Sequence, residues 1–247
     1  DHYVQENILS CCATLVMQGQ DIVDYKTFGY MDIETKTPLR EDAIYRMYSN
    51  TKIVTSVALM MLYEEGLFDL DDPLAKFMPQ FDGLSVLKPD AQSAQDVAPA
   101  KQMILIRHIL SHSAGFSYGF IEPESVIDQA YLQGGLNVLA DSSIELEEFC
   151  DRVARLPLAY EPGTSWRYSV ATDVCARLVE VLSGMAFDEF LQQRIFEPLG
   201  MPDTDFWVPP EKASRFITQY SPTDLFDPMK PGPVSYTHLR AHETADN

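Results

Sequence analysis

Apolar and strand-favouring residues fill CCATLVMQGQDIVDYKTFGYMDI, Cys11 to Ile33, on either side of a polar break at Gln18-Gly19-Gln20. That pattern predicts two strands joined by a turn. The period changes at Ser49. Ile53, Val57 and Met61 recur every fourth residue, as do Val54, Ala58 and Leu62. This predicts a helix over residues 49–65, apolar around most of its circumference as a buried central helix is, with Gly66 as its stop. From Phe81 to Ala100 the chain is rich in Pro, Asp, Ser, Ala and Gln, which predicts a long loop. Short helices are expected around Ile104 to Ser111 and Glu145 to Leu156. After a turn at Pro162-Gly163, a helix carries Ala171, Val174, Cys175, Leu178 and Leu182 on one face and ends at Gly184. Phe187, Phe190, Leu191 and Ile195 make one more amphipathic helix, halted by Pro198 and Gly200.

Strands first and helices afterwards predict an α+β fold. A lone hairpin is too small to be stable, so the sheet needs partner strands. The residues after Phe206 are the ones left to supply them. No internal repeat or low-complexity tract interrupts the chain.

Composition narrows the functional classes. With 247 residues, 46% apolar and 11% aromatic, the chain is globular and long enough for a substantial core. Its 37 acidic and 18 basic residues give a net charge of −19, which repels phosphate backbones and anionic membranes and argues against nucleic-acid binding. No apolar run reaches the ~18 residues of a membrane span. The longest, Ile53 to Tyr63, is interrupted by Thr55 and Ser56. The start, DHYVQENILS, has no basic segment followed by an apolar one, so no signal peptide is visible and a soluble protein is expected. It also lacks Met, so the true beginning is expected to lie outside the sequence. Cys11, Cys12, Cys150 and Cys175 offer no CxxC spacing and read as small buried apolar side chains.

Chemistry enters at RMYSNTK, Arg46 to Lys52. A serine hydroxyl is a weak nucleophile until something takes its proton. On a helix, Lys52 lies on the same face as Ser49. At a helix N-terminus, Ser49 would also gain from the dipole and free N–H groups. A lysine drawn into the interior loses solvation, which brings its neutral, basic form within reach. The equal alternative is an N-cap serine beside a surface lysine. Ser85 and Lys88 repeat the spacing in the Pro-rich stretch, without a helix to align them. In WRYSVATDV, Tyr168 directly precedes a helix. Its hydroxyl could reach a cleft, or its ring could serve as an aromatic staple.

YRMYSNTKIVTSVALMMLYEEGLFDLDDPLAKFMP, IRHILSHSAGF, EPGTSWRYSVATDVCARLVEVLSG and FEPLGMPDTDFWV occur in that order. Together they resemble the serine β-lactamase and penicillin-binding-protein superfamily, in particular the branch with class C β-lactamases and family VIII carboxylesterases. The resemblance covers most of residues 12–225. It implies an antiparallel sheet flanked by helices plus a mostly helical subdomain. It also implies an acylated serine, an assisting lysine and a tyrosine general base, which carry over as Ser49, Lys52 and Tyr168. The class C pattern has Tyr-x-Asn where this chain has Val170, and esterases of the branch commonly lack that Asn. The implied function is hydrolysis of short-chain acyl esters through an acyl-enzyme. The alternatives are a β-lactamase or D-Ala-D-Ala peptidase-like activity, and a non-catalytic acyl-binding version of the fold. The substrate would be a small-molecule ester or lactam, and no metal or organic cofactor is implied.

The family's third box, a Lys-Thr-Gly or Trp/His-Gly variant on an edge strand, has no match. Lys230-Pro231-Gly232 imitates it, but Pro231 removes a backbone donor and fits poorly within a sheet. VSYTHLRAHETADN, Val234 to Asn247, resembles translated sequencing-adapter read-through, the alternative being an ordinary polar tail; on either reading the C-terminal strands are expected to be missing. The expected division is residues 1–66 for the first part of an α/β subdomain with the nucleophile helix and 67–205 for the helical subdomain. Residues 206–233 would return toward the first, and 234–247 would form a non-native tail.

Two motifs compete. Gly115-Phe116-Ser117-Tyr118-Gly119 matches the G-x-S-x-G nucleophile elbow, but the residues before it read as helix rather than strand. It is expected to be a glycine-rich turn. His108 and His112 have the i, i+4 spacing of a zinc pair without the intervening Glu, and read as structural.

Overall fold

A computed structural model of the chain describes residues 2–6, 8–136 and 144–220. They form an α+β protein of two compact units. One runs to Tyr48 and resumes at Asp203; the other is Ser49–Pro202. The imitation box at Lys230-Pro231-Gly232, the end of the expected 206–233 segment and the tail from Val234 lie outside the described residues.

The first unit opens with a short helix, α1 (His2–Gln5), and then the expected hairpin, β1 (Cys11–Gln18) and β2 (Asp21–Asp32). Gly19, at φ 63°, begins its two-residue turn, where a positive φ matches the twist of the strands. The pairing runs from Cys11 opposite Gly29 to Gln18 opposite Asp21, with an irregularity between Val16 and Met17. The sheet finds its third strand sooner than expected. β3 (Thr37–Pro38) pairs with β2, setting Tyr30 opposite Pro38. Beyond Phe206 the described chain adds a single parallel bridge, Ile44 to Phe216. Arg215 secures it by donating to the Asp42 carbonyl at 2.8 Å and pairing with Asp203.

The second unit is built on α2 (Thr51–Glu64), reached through a 3-10 turn at Tyr48–Asn50. Thr55, Ala58, Leu59 and Leu62 are buried, and α2 packs on α6 (Ala171–Ser183). Full burial of each such leucine contributes about 1.5–3 kcal/mol. The helix is not buried all round, because α6 covers one face. Ile53 and Val57 are 66% and 48% exposed. The predicted faces of α6 and α7 (Phe187–Leu191) lie in the core, and α7 runs on into a π turn, Gln192–Phe196. α3 (Ile106–Leu110) and α5 (Leu146–Ala154) pack on α6.

The expected loop at 81–100 is ordered instead as a two-stranded ribbon, β4 (Ser85–Leu87) and β5 (Val97–Pro99). Val86 is buried, and Leu158 stitches itself on by donating to Ser85 O at 2.8 Å and accepting from Leu87 N at 2.9 Å. The polar composition belongs to the ribbon's tip, where the Asp96 carboxylate accepts from Gln92 N and Ser93 N. Ser85 therefore lies in a strand. Residues three apart on extended backbone point to opposite faces, so Ser85 and Lys88 form no pair. Two α-helices escaped sequence reasoning: the short α1, and α4 (Val126–Gln133), which is capped by the Ser125 hydroxyl accepting from Asp128 N. Cys150 and Cys175 are buried, whereas Cys11 and Cys12 are half-buried. No helix among the described residues is long and apolar enough to cross a membrane.

Candidate active site

Ser49 sits in the 3-10 turn, one residue before the N-cap position of α2. That position is Asn50, with helical φ and ψ and no side-chain cap hydrogen bond. Ser49 is thus not the helix cap. Its hydroxyl is exposed and lies 2.7 Å from the Tyr168 hydroxyl, 119 residues away in sequence. Lys52 follows in the first turn of α2, which brings its amine to the same place. Its Nζ is 5.1 Å from the centroid of the Tyr168 ring and 5.3 Å from that of Tyr118. The two rings are 5.4 Å apart and inclined at 33°.

Tyr168 owes its position to the extended stretch before α6. Gly163 N donates to Ser113 O, Arg167 N to His112 O and Val170 N to Ser117 O. These bonds lash residues 163–170 to the turn after α3. Gly115 makes that turn possible: its φ is 92°, and a Cβ there would come within 2.6 Å of Tyr160 O. Two non-glycine residues with positive φ flank the site, Tyr48 at 43° beside Ser49 and His112 at 54°. Backbone held in this region costs about 1–3 kcal/mol per residue and persists where the surroundings enforce it.

The electrostatics revise one expectation. Burial works against the charge of Lys52, but its hydrogen bonds with the phenols of Tyr118 and Tyr168 outweigh that, and its pKa is raised above the usual lysine value. Lys52 is therefore an ammonium at neutral pH, not the neutral base that desolvation alone suggests. Burial pushes Tyr118 up to about 12 and Asp173, in the first turn of α6, up to about 6. The Lys52 charge opposes both shifts. Asp173 Oδ2 is buried without a hydrogen-bond partner among the described residues. His112 is held below the usual histidine pKa by burial and then by Lys52. Its ring lies 5.0 Å from that of Tyr168, and its Nδ1 is 3.2 Å from Ser169 Oγ.

Ser49, Lys52 and Tyr168 thus come together, joined by Tyr118, Asp173 and His112, which sequence reasoning did not select. Their signal was faint. Asp173 is a carboxylate on the buried side of α6, and Tyr118 lies inside the discarded G-x-S-x-G match. The serine of that match, Ser117, is wholly buried and hydrogen-bonded to Asp128 and Arg167, so it is no exposed elbow nucleophile. His108 and His112 serve separate ends. His108 Nδ1 accepts from Leu105 N at 3.1 Å, while His112 lies against Tyr168.

An exposed hydroxyl in contact with a phenol, beside an ammonium, suits attack on an electrophilic carbonyl. Residues 1–241 match the family described as Beta-lactamase. Esterase EstB from Burkholderia gladioli is 28% identical over 221 residues, which are 89% of this chain and 52% of that protein. Lovastatin esterase from Penicillium rubens is 32% identical over 192 residues, 76% of this chain and 46% of that one. Among solved structures, EstCE1, a hydrolase with promiscuous acyltransferase activity, superposes with a TM-score of 0.76 at 26% identity. That match covers 91% of this chain and 55% of the other. The chain spans about half the length of the curated relatives it matches.

Proposed function

The chain belongs to the Beta-lactamase family, and on that premise we propose that it carries the nucleophilic part of a serine esterase for short-chain acyl esters. The observation that carries this reading is the 2.7 Å contact between Ser49 Oγ and Tyr168 OH, with Lys52 Nζ against the Tyr168 ring. Tyr168 takes the proton of Ser49 as Oγ attacks the ester carbonyl. The Lys52 ammonium favours the phenolate form in which Tyr168 accepts that proton, and the Ser49 N–H supplies half of the oxyanion hole. When the tetrahedral intermediate collapses, Tyr168 returns the proton to the departing alcohol. It then activates the water that cleaves the acyl-enzyme.

Lactam hydrolysis is the second reading, since the family includes it. Val170 weighs against it. The side chain is wholly buried at the start of α6, so this position of the tyrosine box offers no amide to a lactam side chain. A non-catalytic acyl-binding role is the third. Hydrolysis of p-nitrophenyl butyrate and nitrocefin, measured for this chain and for the product of the complete reading frame, separates all three. Ester turnover that disappears in Ser49→Ala supports the esterase, and preferential nitrocefin turnover supports the lactamase. Stoichiometric fluorophosphonate labelling without turnover supports the binding role. Ester hydrolysis that survives Ser49→Ala ends the assignment of this nucleophile.

A further inference from the structure

The G-F-S-Y-G turn that lost its claim to the nucleophile is bonded to the tyrosine. Arg167 immediately precedes Tyr168, and its guanidinium is spread over four acceptors, the longest bond running from Nη2 to Ser125 Oγ at 3.5 Å. Nε donates to Ser117 Oγ at 2.7 Å, Nη2 to Asp128 Oδ1 at 3.0 Å and Nη1 to Glu122 Oε2 at 2.8 Å. Asp128 is wholly buried in α4. Its Oδ1 also accepts from the Ser117 hydroxyl, and its Oδ2 accepts from Glu122 N at 2.7 Å. The Arg167 side chain itself is only 15% exposed.

Such a pair is a poor device for stability. Replacing a buried ion pair by apolar side chains of similar volume is often neutral or stabilising, because desolvation offsets the attraction. What the pair supplies is direction. A planar fork held at four points leaves its own backbone little freedom to rotate or slide. The main chain on either side is fastened as well, by Arg167 N to His112 O and Val170 N to Ser117 O. Tyr168 lies between those two ties, and only its side-chain torsions separate the fixed backbone from the phenol oxygen.

We propose that Arg167, held by Asp128, Ser117 and Glu122, is a positioning residue that keeps the Tyr168 phenol in contact with Ser49. The inference rests on the role of Tyr168 set out above. It also assigns work to the buried Ser117–Asp128 pair, which has no part in the chemistry itself. Lysine at position 167 keeps the charge facing Asp128 but loses the fork. A shift of about 1 Å in a reacting group can cost about a hundredfold in rate.

The test is a double-mutant cycle on the product of the complete reading frame, with p-nitrophenyl butyrate as substrate. Arg167→Lys is expected to lower kcat by about thirty- to a hundredfold and to leave KM within about threefold. In a Tyr168→Phe background the same change should cost less than about threefold more, because the group it positions is already gone. A merely structural role gives losses that multiply, or losses that track the melting temperature, and either result overturns the proposal. An unchanged kcat in Arg167→Lys does the same. If Arg167→Lys fails to fold, Glu122→Ala removes one exposed arm and leaves Asp128 paired. It should lower kcat by about fivefold with the same lack of additivity, and full kcat or multiplying losses count against the proposal. Full activity in Tyr168→Phe alone would instead overturn the reading on which the proposal stands.

Discussion

Replacing Tyr168 by Phe removes one oxygen from the site and little else. The ring contacts survive: 5.0 Å to His112, 5.4 Å to Tyr118 and 5.1 Å to the Lys52 amine. What is lost is the hydroxyl 2.7 Å from Ser49 Oγ, together with its hydrogen bond to Lys52. Loss of general-base assistance costs about 100- to 10,000-fold, or about 2.7–5.5 kcal/mol of barrier at 1.36 kcal/mol per tenfold. The upper part of that range is expected here, because Lys52 is no substitute. Lys52 is an ammonium in the parent, and the Tyr118 phenol that favours its charge remains in the variant, so it is not poised to accept the serine proton. Stability should fall by no more than the two hydrogen bonds of the phenol, about 1–3 kcal/mol. The assay is the pre-steady-state burst and steady-state rate with p-nitrophenyl butyrate, alongside thermal melting. A rate loss below about tenfold in a variant that melts normally would refute the base assignment. A large loss accompanied by a collapse in melting temperature would show instead that the hydroxyl is structural.

Two further outcomes follow from the surroundings of the site. The folded pKa of Asp173, about 6, lies above its ordinary 3.8, so the native state holds this proton more tightly. The resulting stability is fully present below pH 3.8 and is lost as pH rises through about 6. Asp173→Asn should remove that slope and melt higher than the parent at about pH 7; a parent and variant with parallel melting-versus-pH curves would contradict the burial argument. Gly115→Ala meets both a φ of 92° and a carbonyl oxygen 2.6 Å from the new Cβ. It should lower stability by at least about 1–3 kcal/mol, read as a lower urea midpoint at unchanged slope. An unshifted midpoint would mean that the turn relaxes at no cost.

Local pattern alone determined several parts of this protein. The hairpin at Cys11–Ile33, the buried faces of α6 and α7, and the serine and lysine carried to one place by the turn into α2 all follow from short-range periodicity, which a single segment expresses by itself. The tyrosine box was legible as a motif, but its distance to Ser49 was not. Tertiary structure decided whether Ser49 caps a helix or faces a phenol, because the deciding group comes from 119 residues away. It raised rather than lowered the pKa of Lys52, since two phenols from distant segments outweigh burial. It turned the polar stretch after Phe81 into a ribbon through bonds to Leu158. It left Ile53 and Val57 exposed because α6 covers one face of α2, and it buried Ser117 against Asp128 and Arg167. Periodicity states which way a side chain points from its own backbone. What waits on the other side depends on chain closure over long separations, and that is settled only when the whole fold assembles.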